Sequence, residues 1–504
     1  MPANQRKLGV VLNYIYLGVN ALANLLYVPI LLGTIGASQY GLYQTIGSFV
    51  AYLSVLSTGM GSMVTRYYSF SLASADSNKQ SPKILGIATS AYTVVTAISL
   101  VASLWIYFSM DSWFSGTFTQ YEMSVAKQMM IVVSVNMAIF IPGSMFAAVI
   151  NAEERFVFAQ TINLVRAVLQ PVMIVAVVQF HSSALSIVLV QLVLNVAVIV
   201  INAAYSFSKL HVHFDFKARD AKLLKEMLVF LAFALLGLVF DQILWRTDQI
   251  ILGALFGTGT VALYSIATTI VAAYISLSNS VANVLLPKVS KMIASGASNH
   301  DLDLIFAKVG RIQTWIVTLI ELGFVLLGRD FISLWAGSDY AEAYYIVIIF
   351  MIGMHTALIQ NLGQAILQGK NKQGFKSVVY LLIALVNVVL SIVASMRFGY
   401  MACAISSMFC LLVGTGPVIN WYYKRRIGLN IGYFFIETSK LLPSAFAPFF
   451  VCLILRGLWP TEPTWVEFLG WGACFVAMFV LTTFKFGLSA SERSSALSLF
   501  NKRP

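Results

Sequence analysis

Stretches of about twenty consecutive apolar residues follow one another along this chain with hardly a polar gap, and that repetition limits the fold more than any other feature. A bilayer core takes about 20 residues of helix to cross, and inside it every backbone polar group has to be satisfied within the element itself. Fourteen such stretches are predicted, at 8–32, 40–65, 84–109, 128–150, 158–180, 185–207, 227–252, 262–286, 312–335, 341–367, 377–396, 400–423, 432–455 and 465–484. The expected fold class is an all-α integral membrane protein with about 14 transmembrane helices. A soluble enzyme with a wetted surface is excluded, because only 10% of the 504 residues are charged and 59% are apolar. Arg6 and Lys7 precede an apolar stretch too long for a signal-peptide core and without a small-residue cleavage site, so the first span is expected to be retained.

The formal net charge of +12 does not point to nucleic acid, because Lys and Arg sit in short clusters between the apolar stretches and not on one basic face. Cytoplasmic segments carry the excess of Lys and Arg in membrane proteins. With the N-terminus inside, 25 of the 32 Lys and Arg residues fall in cytoplasmic segments. Only Lys127, Arg329, Arg397 and Arg456 are outside, and Arg166, Arg246 and Lys440 lie within spans. Both termini are therefore expected in the cytoplasm. Cys403, Cys410, Cys452 and Cys474 all lie in apolar stretches, which suggests neither a disulfide framework nor a metal site.

No connection is long enough to fold as a domain: the longest outer one spans about residues 110–127 and the longest inner one about 287–311. A membrane-embedded sugar polymerase or ligase, with its large outer loop, is disfavoured on this ground. A lipid-sugar glycosyltransferase is disfavoured too, since the first outer loop, 33–40, has no carboxylate to act as base or metal ligand. No catalytic residue, metal or cofactor is expected, and function is expected to lie within the membrane.

Shifting the chain against itself by about 220 residues pairs Leu32, Gly33, Gly36, Leu42 and Tyr43 with Leu252, Gly253, Gly257, Leu263 and Tyr264. The same offset brings Asp111 and Gly116 near Asp330 and Gly337, and the turn 151–156 near 368–375. Six spans separate the copies, so both start on the same side, giving a parallel repeat about an axis normal to the membrane. The expected domains are a six-helix lobe at 1–208, a second at 209–424, and two further helices with a cytoplasmic tail at 425–504. Two such bundles rocking about a central cavity are a physical route to alternating access.

Ionisable groups inside a bilayer cost roughly 2.5–3.5 kcal/mol each on insertion scales and so usually face a wet cavity or a partner. Span 7 concentrates them: Asp241 and Asp248 lie seven apart with Trp245 between, and Gln242, Arg246 and Gln249 form a neighbouring stripe. Snorkelling of Arg246 to the outer interface is the plain alternative. Span 5 carries Asn163, Arg166 and Gln170, followed by Pro171, which should kink the helix. For Arg166 a bracing role between helices stands beside a substrate role. Span 1 has Asn13, Asn20 and Asn24 with Tyr16 and Tyr27, span 6 has Gln191, Asn195 and Asn202, and span 8 has Asn279 and Asn283. Amide stripes commonly act as helix-packing glue, but their collection at the starts of the two repeats suits a hydrated lumen. Glu321 and His355 stand isolated, whereas Glu437 and Lys440 are placed to pair with each other.

Three segments carry a resemblance. They are the turn from Leu31 to Tyr43, Arg246-Thr-Asp-Gln-Ile-Ile-Leu-Gly253 with Ala262-Leu-Tyr-Ser-Ile266, and Gly328-Arg-Asp-Phe-Ile-Ser-Leu-Trp-Ala-Gly337. Over nearly its whole length the chain resembles the bacterial polysaccharide transporters, Wzx-type oligosaccharide flippases included, of the multidrug/oligosaccharidyl-lipid/polysaccharide exporter superfamily. The resemblance implies two six-helix lobes plus two helices in the bacterial cytoplasmic membrane. It further implies movement of undecaprenyl-diphosphate-linked oligosaccharide from the inner to the outer leaflet, with a polysaccharide polymerase or ligase as a further partner. A diphosphate needs a cation in the cavity, and Arg166 and Arg246 are the intramembrane candidates. Asn20, Asn24, Tyr27, Asn163, Gln170, Asp241, Gln242, Trp245, Asp248, Asn279 and Asn283 are the expected cavity lining. Two alternatives stay open: a cation-coupled multidrug antiporter of the same superfamily, disfavoured because span 1 has no acidic residue, and a non-transporting scaffold for envelope assembly.

Overall fold

The structure is a computed structural model that describes residues 3–74, 76–372, 374–459, 462–489 and 492–493, and it gives side chains for these except at 3–7, 77–79, 280–288 and 290. Among the described residues the chain is built from helices and contains no strand. The fourteen apolar stretches are mainly helical, those at 341–367, 400–423, 432–455 and 465–484 each extending beyond a single helix. The first two are the halves of α1, Ala3–Leu72. Its apolar part, Leu8–Leu72, has 65 residues and at 1.5 Å per residue would extend about 97 Å, three times the ~30 Å core. It breaks at Gly36, where φ is 77° and ψ 170°, a conformation only glycine adopts readily.

There follow α2 (Ser77–Phe114), α3 (Gln120–Ala152), α4 (Phe156–Phe180), α5 (Ala184–Ser208), α6 (Ala221–Phe256), α7 (Thr258–Ala294) and α8 (Asn299–Trp335). After them come α9 (Ala343–Ile359), α10 (Leu362–Gly369), α11 (Gly374–Phe398), α12 (Met401–Val413), α13 (Ile419–Tyr422), α14 (Ile431–Ser439), α15 (Leu442–Leu458) and α16 (Trp465–Thr482). By length and apolar composition, 11 described helices can cross a membrane, or 12 with α9 and α10 taken as one span bent by 45°. That count takes α1 once, and α8, with 37 residues, carries the ninth stretch. Pro171 lies inside α4, which continues through it as one helix.

Helix starts follow from their caps. The Thr119 hydroxyl accepts from the Glu122 N–H while the Glu122 carboxylate accepts from the Thr119 N–H, and Ser298 and Asp301 form the same reciprocal pair at α8. Asp220 caps α6 by accepting from the Leu223 N–H and also accepts from Lys83 at 2.9 Å. These two donors hold the Asp220 carboxyl below its ordinary range.

By internal contacts the chain divides into two compact units, Met1–Ser265 and Ile266–Pro504, the division falling within α7. The expected boundary at 208/209 rests on the proposed sequence repeat, which is a different kind of division. Packing assigns α6, the first helix of the second expected lobe, to the first unit, since it lies along α1 and α2. The first unit is filled by Leu42, Ile46, Met60, Met63, Leu85, Met129 and Val149. In the second, Leu322 and Leu326 of α8 pack on Phe449 and Cys452 of α15 and on Phe475 and Phe479 of α16. In the first half of α8, the buried Arg311 bonds both oxygens of Glu492 at 2.9 Å and the Glu437 and Gly487 carbonyls. Burial alone would raise the Glu492 carboxyl, but Arg311 and Ser489 hold it below its ordinary range.

Candidate functional site

Within the first unit, the second half of α1 and α6 run side by side, and their contact is hydrogen-bonded at one end and made of apolar and cation–π packing at the other. Ser48 donates to Gln249 Oε1 at 2.6 Å, and Gln249 in turn donates to Ser265 at 3.2 Å. Tyr52 bonds Thr247. Thr117 donates to the Gly253 carbonyl at 2.9 Å, and Gly41 meets the Thr258 carbonyl so closely that a Cβ there would lie 1.8 Å from the oxygen. Glu122, only 6% exposed, joins three elements at this end: Ser38 and Thr258 each donate to Oε1 at 2.6 Å, while the Thr119 N–H and hydroxyl bond Oε2. At the other end Gly59 packs on Leu231 and Leu235, and the Arg66 guanidinium lies over the Phe230 ring at 4.6 Å. Gly36 and Gly257, paired by the 220-residue offset, share left-handed backbone with φ of 77° and 84°.

The two intramembrane arginines both belong to this unit. Arg246 is half-buried, and α6 continues to Phe256, ten residues beyond it, or about 15 Å. Arg166 lies ten residues after the start of α4 at Phe156, again about 15 Å. At 36 residues α6 is about 54 Å long and exceeds a ~30 Å core, so snorkelling of Arg246 to the outer interface stands beside a substrate role. Neither arginine has a hydrogen bond or ion pair among the described residues, and their electrostatic neighbours are tyrosines of α1: Tyr16 for Arg166 and Tyr43 for Arg246. Tyr43 accepts from Gln191 of α5 at 2.9 Å and lies 6.5 Å from the Tyr40 ring. Tyr27, on the far side of the Gly36 break, has Tyr43 and Tyr40 as electrostatic neighbours and a buried hydroxyl with no hydrogen-bond partner among the described residues. Tyr27, Tyr40, Tyr43 and Arg246 therefore form one group that combines ring faces, hydroxyls and a cation.

The other expected lining residues are more dispersed. Asn24 is exposed and donates to the Asn20 carbonyl at 2.9 Å, and Asn163 is exposed on α4 with Gln170 half-buried. On α6, Asp241 is exposed, and Gln242 and Trp245 are half-buried. Asp248 is buried and accepts from the Tyr264 hydroxyl at 2.5 Å, tying α6 to the start of α7. Asn279 belongs to the second unit, where it accepts from Asn361 at 2.5 Å. The side chain of Asn283 lies outside the described residues.

Two constellations escape sequence reasoning. Glu122 announces its own cap through the Thr-x-x-Glu spacing, but its bonds to Ser38 and Thr258 span 84 and 136 residues and leave no local signal. Glu321 and His355, isolated along the chain, are partners in space at 2.8 Å, and Glu437 and Lys440 pair at 2.5 Å as their spacing indicates. Among the described residues no group of three or more His, Cys, Asp or Glu side chains is arranged to hold a metal.

The sequence profile described as polysaccharide biosynthesis protein matches residues 9–293, more than half of the chain. The chain belongs to that family. The match covers α1 to α7, the helices that carry both arginines and the tyrosine group. No curated protein sequence matches this polysaccharide biosynthesis family member significantly. Among solved structures, one of the lipid II flippase MurJ in an inward closed conformation aligns with a TM-score of 0.73 at 14% identity, covering 95% of this chain and 98% of that one. An inward-facing multidrug resistance MATE family transporter of the MOP superfamily aligns at 0.58 and 14% identity, covering 83% and 98%. The Vibrio cholerae MATE transporter VcmN aligns at 0.55 and 13%, covering 86% and 99%. At these identities the likeness is one of fold: the family member has the all-helical membrane fold of these transporters.

Proposed function

We propose that this protein is a flippase that moves undecaprenyl-diphosphate-linked oligosaccharide from the inner to the outer leaflet of the bacterial cytoplasmic membrane for surface polysaccharide assembly. The observation that carries the proposal is the pair of arginines within apolar helices that have no hydrogen bond or ion pair among the described residues, one of them beside the Tyr27, Tyr40 and Tyr43 group. A buried cation without a counter-charge is costly, and a diphosphate supplies two anionic groups that accept its planar fork of donors. Tyrosine faces and hydroxyls suit the sugar. The family membership and the fold shared with the lipid II flippase MurJ support the same substrate class. A polymerase or ligase would then receive the glycan outside.

The mechanism proposed is alternating access through a central polar cavity between lobes at 1–208 and 209–424, with 425–504 as an addition, both termini being cytoplasmic. The seam of α1 and α6 supplies a physical basis, because its two ends are held by different chemistry and can part separately. No covalent step is involved. The test is depletion of the protein: the lipid-linked oligosaccharide should accumulate in the inner leaflet while its synthesis continues. Normal surface glycan with loss of dye efflux would instead establish the antiporter alternative, and unchanged lipid distribution with mislocalised envelope enzymes the scaffold.

A further inference from the structure

The second unit contains a cluster of ionisable side chains that the flippase proposal does not use. Glu321 of α8 accepts from the Tyr274 hydroxyl of α7 at 2.6 Å, and Nδ1 of His355 on α9 lies 2.8 and 3.0 Å from its two oxygens. Tyr274 is 2% exposed, while the Glu321 and His355 side chains are 17% and 30% exposed. Among the described residues Nε2 of His355 has no partner. Tyr274 lies 16 residues from the start of α7 at Thr258, Glu321 lies 14 before the end of α8 at Trp335, and His355 lies 12 after the start of α9 at Ala343. By the expected span order these three helix ends fall on one side of the membrane, which places all three side chains about 18–24 Å of helix from it, within the core.

We propose that Glu321, His355 and Tyr274 form a proton-binding site that takes up and releases one proton in each transport cycle. The distances from Nδ1 to both carboxylate oxygens require a proton on Nδ1 when Glu321 is ionised. The cluster with a neutral ring then carries one negative charge. A proton passed from hydronium to the free Nε2 makes the ring an imidazolium, leaves water behind, and brings the cluster to zero net charge. An uncompensated charge is disfavoured in the bilayer interior, so the proton is held when the cluster is closed to water and lost when water solvates the anion. Histidine is suited to this exchange because its charge changes near neutral pH.

No other charged group is bonded to the cluster among the described residues. Glu437 of α14 engages both Lys440 and Arg311, the latter ten residues before Glu321 on α8, and Arg456 of α15 engages Asp330, nine residues after it. On the other elements packed against α8 and α9, Glu467 of α16 is in the first turn of its helix, Asp339 and Tyr340 lie in the short turn after α8, and α12 brings only Cys403 and Cys410. On α15 and α16 the remaining titratable groups are Cys452 and Cys474, in the seam formed by Leu322 and Leu326 or beside it.

The proton site stands independently of the substrate, whereas its use as the driving ion rests on the transport proposal. The full chain, reconstituted in liposomes on a solid-supported membrane without substrate, is given a jump from about pH 8 to about pH 6, a range spanning histidine titration. Groups at the surface bind protons too, but move them through little of the membrane field. We expect a transient displacement of charge that falls at least about tenfold in Glu321→Gln and in His355→Gln. Tyr274→Phe should keep the displacement and move its midpoint up by about one pH unit, because a donor that stabilises the carboxylate is lost. No displacement in the parent protein, wild-type displacement in Glu321→Gln and His355→Gln, or an unshifted midpoint in Tyr274→Phe each overturns the site. If displacement behaves as expected but lipid-linked oligosaccharide is not moved by an imposed pH gradient, the coupling role fails while the site stands.

Discussion

An arginine within an apolar span is costly to keep, and its geometry sets what replacement should do. Arg246 has about 15 Å of helix between it and the nearer end of α6; if it snorkels to the interface, a lysine in its place does the same and transport should be unchanged. If the guanidinium grips a diphosphate through two parallel donors, Arg246→Lys keeps the charge and loses the fork. Transport should then fall roughly tenfold, the equivalent of one charge-assisted hydrogen bond at about 1.4 kcal/mol, with the amount of inserted protein unchanged. Arg246→Ala should abolish transport, and surface glycan measured against membrane abundance checks both; full transport by Arg246→Ala at normal abundance removes the residue from the mechanism. Both arginines were legible in the sequence because a charge in an apolar stretch is conspicuous. Their tyrosine neighbours were legible only in part: Tyr27 shares a stripe with Asn20 and Asn24, but Tyr40 and Tyr43 join it across the kink at Gly36. The Glu321 and His355 pair was illegible for a similar reason, since 34 residues separate its members and only the packing of α8 on α9 brings them together.

At the scale of elements, the decisive device is the close approach of α1 to the start of α7. Gly41 lies where a Cβ would be 1.8 Å from the Thr258 carbonyl oxygen, and because the obstacle is backbone no rotamer change relieves it. Gly41→Ala should therefore part this end of the seam at a cost of about 1–3 kcal/mol, the usual range for overpacking, although alanine is the better helix former. Ser48 reports on it: fully buried and bonded to Gln249, a cysteine in its place should resist a polar thiol reagent in the parent protein and react in the Gly41→Ala background. Equal protection in both would show that the end stays closed. The helices themselves were legible from apolar length alone, since hydrocarbon leaves the backbone no alternative. Their association was not. Lipid-facing and protein-facing residues of a span are equally apolar, so no amphipathic stripe revealed that α6 would pack on α1, and the polar contacts that do mark the seam, such as Tyr52 with Thr247, are single residues 195 positions apart.

For the molecule as a whole, orientation in the membrane is the property on which a direction of transport depends, and the distribution of charge predicts it. Reversing the chain would expose on the outside the 25 Lys and Arg residues now assigned to the cytoplasm, against the strong bias of short loops. Ser208 closes α5 beside Lys209, and Ser338 follows α8 in the short turn after Trp335. Both are exposed, so each can be replaced by cysteine and reached from the adjacent water. Cys474 is exposed and is first changed to serine, while Cys403, Cys410 and Cys452 are buried and can stay. A membrane-impermeant maleimide added to intact cells should label Ser338→Cys and spare Ser208→Cys, and opening the cells should make both reactive. The two positions are separated by three spans, 7 to 9, an odd number, so they must lie on opposite sides whatever the orientation. Labelling of both from outside would therefore overturn the span count between them. Labelling of Ser208→Cys alone would keep the count and reverse the protein, placing the inner end of the α1 and α6 seam, with Arg66 over Phe230, on the outer face.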